Sequence, residues 1–186
     1  GTPDIANLMA IAALFQISVD ELLSNEKSEK KQSDYIYESR TEYDIDGKKN
    51  FDIKLGGAYA VDLKAYHGEK IEVAMFSNVY KNLLADYKVK IDDIKNRIDI
   101  DLNRFNEASE ADAKESLVIT IFIPVKYIGK IELSVNARTL NITDIENEHI
   151  EVNGKISEVT LQGNKSEIEI DSNLDMQISV LSHEGA

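Results

Sequence analysis

The chain has 186 residues, of which 42% are hydrophobic and 30% charged, as expected for a soluble globular protein with one domain and part of another. Its formal net charge of −13 would repel a phosphate backbone, so we expect the chain by itself to bind DNA poorly. It contains no cysteine, which excludes disulfides and thiolate metal sites and fits a cytoplasmic location. No apolar run reaches the roughly 18 residues of a membrane helix, so we expect no membrane partner.

Residues 1–24 are predicted to contain two helices. Apolar side chains at spacings of three and four residues form one helical stripe: Ile5, Leu8, Met9, Ala12 and Phe15. Pro3 suits the first helical position, and Ser18 followed by Glu21 forms a capping-box pattern that begins a second, shorter helix. Two helices of this length can hardly bury both of their apolar faces against each other. We therefore expect them to pack against a larger surface.

The motifs PDI at residues 3–5 and FQISVDELL at residues 15–23 resemble the last two helices of a known DNA-binding family. This is the xenobiotic-response-element (XRE) family of lambda-repressor-like helix-turn-helix domains. The resemblance implies that the chain belongs to a bacterial transcriptional regulator. The family's DNA-reading helices would precede Gly1, so the resemblance implies no DNA-binding residue here and DNA contact only through that region. The alternative is an unrelated amphipathic helical hairpin.

Residues 25–34, with the sequence NEKSEKKQSD, are predicted to form a charged linker because they contain no apolar residue. Lys27, Lys30 and Lys31 could touch phosphate in a larger complex, but a solvated linker is the simpler interpretation. The linker separates the helices from a β-rich domain predicted over residues 35–186.

The β-rich domain begins with segments in which apolar and polar residues alternate, as in strands. These segments are residues 51–55, 61–65, 71–75 and 98–102. Residue pairs typical of turns occur at Asp46-Gly47, Gly56-Gly57 and His67-Gly68. The run LVITIFI at residues 117–123 is apolar on nearly both faces, which predicts a central, covered strand. Residues 77–85 and 107–114 are predicted to interrupt the sheet.

The last third of the chain is internally repetitive. Ile131-Glu-Leu133, Ile150-Glu-Val152 and Ile168-Glu-Ile170 each begin a unit. A second apolar pair follows in each unit: Leu140 with Ile142, Val159 with Leu161, and Met176 with Ile178. Repeats this short must stack to bury a core, which predicts a β-solenoid or β-roll. The alternative is an antiparallel sandwich with evenly spaced strands.

The IEV motif at residues 71–73, the IDIDL run, the VITIFIPV segment and the following repeats resemble a bacterial domain of unknown function labelled putative adhesin. The resemblance implies a β-solenoid character but no defined chemistry. Some members of that family carry a helix-turn-helix domain in front of the β domain.

No residue of the sequence is assigned to catalysis, cofactor binding or metal binding. His67, His149 and His183 lie in different segments with no spacing that would join two of them on a metal. Several carboxylates could supply an acid and base pair, but their alternation with isoleucine favours a solvated sheet face. They are Asp92, Asp93, Asp99 and Asp101. The triplets NIT at 141–143 and NKS at 164–166 match glycosylation acceptors that occur by chance. We therefore expect neither an enzyme nor a cofactor.

Two classes of function follow from the sequence. In the first, the β domain senses an unknown ligand or protein partner, or forms a homodimer, and thereby controls a helix-turn-helix domain. In the second, it is an extracellular adhesive or scaffolding solenoid that binds a surface partner. The two differ in whether a complete DNA-binding domain or an export signal accompanies the β domain.

Overall fold

The computed structural model describes residues 35–106 and 108–186, and Tyr35–Ala186 forms one compact unit. The predicted helices of residues 1–24 and the linker of residues 25–34 lie outside the described residues. Within the described ranges, no helix has the length and apolar character needed to cross a membrane.

The described part of the chain is mainly β, which confirms the predicted fold class. Its strands are β1 (Tyr37–Asp44), β2 (Lys49–Tyr66), β3 (Lys70–Ser77), β4 (Tyr87–Ile94), β5 (Arg97–Arg104), β6 (Val118–Pro124), β7 (Ile128–Thr143), β8 (Glu146–Gln162), β9 (Asn164–Ser172), β10 (Gln177–Val180) and β11 (His183–Glu184). The short helices α1 (Leu83–Asp86) and α2 (Glu110–Ser116) begin within the predicted interruptions and end one and two residues beyond them. A 3-10 turn (Val125–Tyr127) precedes β7.

Three long strands, β2, β7 and β8, bend midway and so take part in two arms of one mixed sheet. Arm A consists of their early halves together with β9, β5 and β4. Arm B consists of their later halves together with β6, β3, β1 and β10. One passage of the chain through arm A and then arm B forms a rung, and successive rungs stack in parallel.

The stacked repeat predicted from the sequence is present. Ile131 pairs with Ile150, and Ile150 pairs with Ile168, all on parallel strands. This register agrees with a solenoid and not with an antiparallel sandwich for the last third of the chain. Phe51 of β2 pairs with Ile131 in the same way, so β2 supplies an earlier rung that was not predicted.

One detail of the predicted repeat is wrong. The second apolar pair of the last unit is Ile178 with Val180, rather than Met176 with Ile178, because Ile178 pairs with Val159 and Val180 with Leu161. The connection from β9 in arm A to β10 in arm B contains one residue more than the corresponding connections of the two preceding rungs. The extra residue changes which side chains of β10 face the core.

The Gly56-Gly57 pair marks a bend within β2, not the predicted turn between two strands. Gly56 has a φ of +68°, and the pairing of β2 with β7 shifts register between Lys54 and Gly56. Because glycine has no Cβ, it adopts this left-handed conformation without strain. The bend redirects the chain from arm A to arm B.

Side chains from both arms form one hydrophobic core. The predicted central strand is confirmed, since β6 lies between β2 and β3 and its Ile119, Ile121 and Ile123 are fully buried. Other members of the same core come from arm A and from the neighbouring strands of arm B: Phe51, Ile53, Ile98, Ile100, Ile131, Ile150, Val61, Leu63, Ile71 and Leu140. The shared core places the polar residues of each strand on the outer face of its arm.

Candidate functional site: an acidic row on arm A

The outer face of arm A carries one row of carboxylates that crosses adjacent strands. In spatial order its members are Asp92 on β4, Asp99 on β5, Asp52 on β2, Glu132 on β7, Glu151 on β8 and Glu169 on β9. Each residue is the direct register partner of the next. Neighbouring strands lie about 4.8 Å apart, so the row brings like charges close together along a line. We call these six residues the acidic row.

One half of the acidic row carries its own counter-ions. Lys54 Nζ lies 2.8 Å from Asp52 Oδ2, Arg97 Nε lies 2.6 Å from Asp99 Oδ1, and Lys90 pairs with Asp92. Each cation stands two residues from its carboxylate on the same strand, which is the spacing that places both on one face. In this half the negative charge is locally compensated.

The pKa shifts of these cations agree with that pairing. The hydrogen bond to Asp52 raises the pKa of Lys54, and those to Asp92 and Asp99 raise the pKa of Lys90 and of Arg97. Coulombic attraction by the same carboxylates acts in the same direction. The cations are exposed to water, so these pairs contribute little to stability.

The other half of the row has no such compensation. Glu132, Glu151 and Glu169 form no ion pair with another described residue. Glu151 accepts a hydrogen bond from Asn153 Nδ2 at 2.8 Å. This half therefore presents uncompensated negative charge to solvent.

The four aspartates considered as candidates for an acid and base pair do not lie together as one group. Asp92 and Asp99 are register partners within the acidic row. Asp101 lies in the next outward row, where it faces Lys54 and Lys90 across the strands. Asp93 lies apart, since its Oδ1 accepts from Lys49 Nζ at 2.7 Å. No group of His, Asp and Glu side chains within the described ranges is arranged to hold a metal ion.

The sequence did not identify the other four members of the row as site residues. A signal was present, because Asp52, Glu132, Glu151 and Glu169 each occupy the middle of an apolar, acidic, apolar triplet. Repetition of the same triplet in stacked rungs places their acidic residues in one row. The triplets at Ile131, Ile150 and Ile168 predicted rungs, but the row also depends on the triplet at Phe51, whose rung was not predicted.

The structure keeps the three histidines apart. His67 lines an open polar depression of about 710 Å³ with Lys48, Lys126 and Lys165, as well as with Glu146 and other polar residues. His149 Nδ1 lies 3.7 Å from Glu167 Oε2, and His183 pairs with Asn164 in the last parallel strand. No two of them share a site.

The asparagines of both glycosylation triplets hold the fold together. Asn164 is only 2% exposed; it accepts from Ile145 N at 3.0 Å and donates to Ile142 O at 2.7 Å. Asn141 Nδ2 donates to Asp62 Oδ1 at 2.6 Å on the outer face of arm B. A glycan on Asn164 would require these buried bonds to break, so this triplet has a structural role.

Neither a protein-family model nor a curated protein matches the chain. Some solved structures are similar to it at very low identity. One is described as a putative cell adhesion protein from Clostridium sporogenes, with 8% identity and a TM-score of 0.46 over 77% of this chain and 98% of that one. Another is a putative adhesin from Parabacteroides distasonis, with 8% identity and a TM-score of 0.38 over 79% of this chain and 66% of that one.

A third is a putative adhesin from Bacteroides fragilis, with 11% identity and a TM-score of 0.30 over 81% of this chain and 95% of that one. The β domain is therefore similar to solved proteins described as adhesins, and the acidic row is defined by its own geometry alone.

Proposed function

We propose that the β domain is a non-catalytic binding module that docks a positively charged macromolecular surface through the acidic row. The observation that carries this proposal is the direct register of six carboxylates on adjacent strands, three of them without a cationic partner among the described residues. A line of like charges at strand spacing concentrates negative potential along one face.

The length of the row favours a large partner. Six strands at about 4.8 Å spacing extend over roughly 24 Å. A small cation could occupy only a fraction of that length, whereas a surface or extended segment with repeated Lys or Arg side chains would engage most of it. Such contacts steer association and weaken as ionic strength rises.

The proposal belongs to the adhesive or scaffolding class, for which an extracellular setting is the natural one. The regulator hypothesis, with its homodimer and cytoplasmic location, stays a prediction because it rests on residues 1–24, outside the described part. The absence of catalysis and of a cofactor is part of the same proposal.

The test is binding to poly-L-lysine, measured by titration calorimetry at several salt concentrations. The double variant Glu132→Gln/Glu151→Gln removes two carboxylates from the uncompensated half of the row. The matched control Glu115→Gln/Glu158→Gln removes the same charge from exposed positions elsewhere. The unaltered protein and the control should bind with similar affinity, and the row variant about tenfold more weakly.

Equal weakening in both double variants would show that binding depends on net charge alone, and the proposal would be wrong. The same conclusion would follow if the unaltered protein failed to bind poly-L-lysine at low salt. Circular dichroism of each variant establishes that the β fold is retained in the comparison.

A further inference from the structure

A row of polar side chains crosses the outer face of arm B. Its members, in spatial order, are Thr120 on β6, Asp62 on β2, Asn141 on β7, Thr160 on β8 and Ser179 on β10. Each residue is the direct register partner of the next, so the five side chains form one continuous line across five strands. All five are partly exposed to solvent. We call these five residues the polar row.

Hydrogen bonds fix the orientation of the carboxylate within the polar row. Asn141 Nδ2 donates to Asp62 Oδ1 at 2.6 Å, and Thr120 Oγ1 donates to Asp62 Oδ2 at 3.4 Å. A carboxylate can accept about four hydrogen bonds, so Asp62 retains acceptor capacity for a ligand. The amide and the hydroxyls beside it can both donate and accept. The row therefore offers a ligand an oriented acceptor next to groups of mixed hydrogen-bonding character.

The polar row differs from the acidic row in charge. Asp62 is its one charged member, whereas all six members of the acidic row are carboxylates. On β7 and β8 the neighbouring outward positions are uncharged apart from Glu158: Thr139, Thr143 and Gln162. A basic ligand is attracted more strongly to arm A, and the net charge of −13 disfavours an anionic one. Charge thus favours a neutral ligand with many hydrogen-bonding groups.

An aromatic pair flanks the polar row on its β6 side. Phe122 follows Thr120 by two residues, so both side chains lie on the same face of the strand, and both are partly exposed. Tyr66 packs edge-on against Phe122, with the ring centroids 5.6 Å apart. The face of an aromatic ring is electron-rich and attracts weakly positive C–H groups. Sugar rings present such C–H groups together with hydroxyls, so this surface matches both parts of a sugar.

We infer that the outer face of arm B binds an extended, neutral glycan that lies along the polar row. The row crosses strands about 4.8 Å apart and is roughly 19 Å long. That spacing is close to the advance of one sugar ring in an extended β-1,4-linked glycan, so successive rings meet successive strands. Sugar hydroxyls donate to Asp62 and exchange hydrogen bonds with the other members of the row, and one ring packs beside Phe122. The site lies on the other arm from the acidic row and does not depend on that row's proposed function.

The test is an NMR titration of the isotope-labelled protein with three neutral β-1,4-linked hexasaccharides, built from glucose, mannose or N-acetylglucosamine. Maltohexaose is the matched control ligand, because its α-1,4 linkages join the same glucose units into a coiled chain. At least one of the three should bind and shift the amide signals of Asp62, Asn141 and Thr160. Maltohexaose should bind about tenfold more weakly or not at all. Added salt should leave the affinity unchanged, since the ligand carries no charge.

The double variant Thr160→Ala/Ser179→Ala removes two hydroxyls from the polar row. Its matched control, Ser134→Ala/Ser157→Ala, removes two exposed hydroxyls from other positions. The row variant should bind the glycan about tenfold more weakly, because two hydrogen-bonding groups are lost, and the control should bind as the unaltered protein does. Circular dichroism of both variants establishes that they retain the β fold.

The aromatic contact is tested by Phe122→Leu, which removes the ring and keeps an apolar side chain. Phe105→Leu is the matched control, since Phe105 is 48% exposed on another part of the chain. Phe122→Leu should weaken glycan binding severalfold, and Phe105→Leu should leave it unchanged.

The inference is wrong if none of the three hexasaccharides binds. It is also wrong if maltohexaose binds equally well, or if the two double variants bind alike. Loss of glycan binding in Glu132→Gln/Glu151→Gln would place the ligand on the acidic row instead. Unchanged glycan binding in that variant, together with weaker binding of poly-L-lysine, would show that the two arms carry separate sites.

Discussion

Glu132 on β7 and Glu151 on β8 are direct register partners on parallel strands, and both side chains lie on the outer face of arm A. Asp52 faces Glu132 from the other side, so Glu132 stands between two carboxylates. Like charges placed directly opposite each other cost a sheet stability. The register of these carboxylates is therefore electrostatically unfavourable for folding.

Replacing Glu132 by lysine should therefore stabilise the domain. Glu132→Lys converts two repulsive cross-strand contacts into attractive ones and should raise the free energy of unfolding by about 1 kcal/mol at low salt. Urea denaturation measures this change, and the gain should shrink as added salt screens the exposed charges. Glu115→Lys, on α2, makes the same charge change away from the row. An equal gain in that control would attribute the effect to net charge rather than to the row.

The corner glycine of β8 should tolerate no side chain. Gly154 has a φ of +148°, and a Cβ there would lie 1.8 Å from the carbonyl oxygen of Val135 on the preceding rung. Gly154→Ala should lower the free energy of unfolding by at least about 3 kcal/mol, since backbone must move to relieve the contact. Gly47→Ala is the matched control, because nothing lies within 4 Å of a Cβ at that position. Similar unfolding midpoints for the two variants would contradict the close stacking of the rungs.

Acid should weaken the attachment of α2. Burial acts to raise the pKa of Glu110, but the hydrogen bond from Asn136 and the nearby Lys114 and Arg104 outweigh it and lower the pKa below the ordinary 4.5. A carboxyl with a lowered pKa in the folded state stabilises the fold above its unfolded pKa and loses that contribution as pH falls through the folded value. The side chain is 39% exposed, so solvent screening keeps the effect small.

Glu110→Gln should accordingly be less stable than the unaltered protein near neutral pH, and the difference should narrow from about pH 5 to about pH 3. Urea denaturation across that interval measures it. Glu115→Gln on the same helix is the control. A gap that stays constant with pH in Glu110→Gln would exclude the ionised carboxylate as its source.

The sequence predicted the rungs because their apolar triplets repeat and apolar periodicity reflects burial directly. Ile131, Ile150 and Ile168 are indeed register partners. It did not predict that Gly56 bends a continuous strand, because a glycine pair indicates equally well a turn or a bend. Nor did it place Asp52 beside Glu132, since these residues are far apart in the chain and only the insertion of β3 to β6 between rungs explains their pairing. Cross-strand rows depend on register, which local patterns do not specify.

Side chains that point into the core should contribute to stability according to how completely they are buried. Ile121 on β6 is fully buried, whereas Ile178 on β10 occupies an inward column yet is 48% exposed. Ile121→Ala should cost about 3–4 kcal/mol of unfolding free energy, because it removes buried atoms and leaves a cavity among close-packed neighbours. Ile178→Ala removes the same atoms at the uncovered end and should cost about 1 kcal/mol. Urea denaturation of both variants at low protein concentration compares the two positions directly. Equal losses would contradict the exposure of Ile178 and would mean that its side chain is as closely packed in solution as that of Ile121.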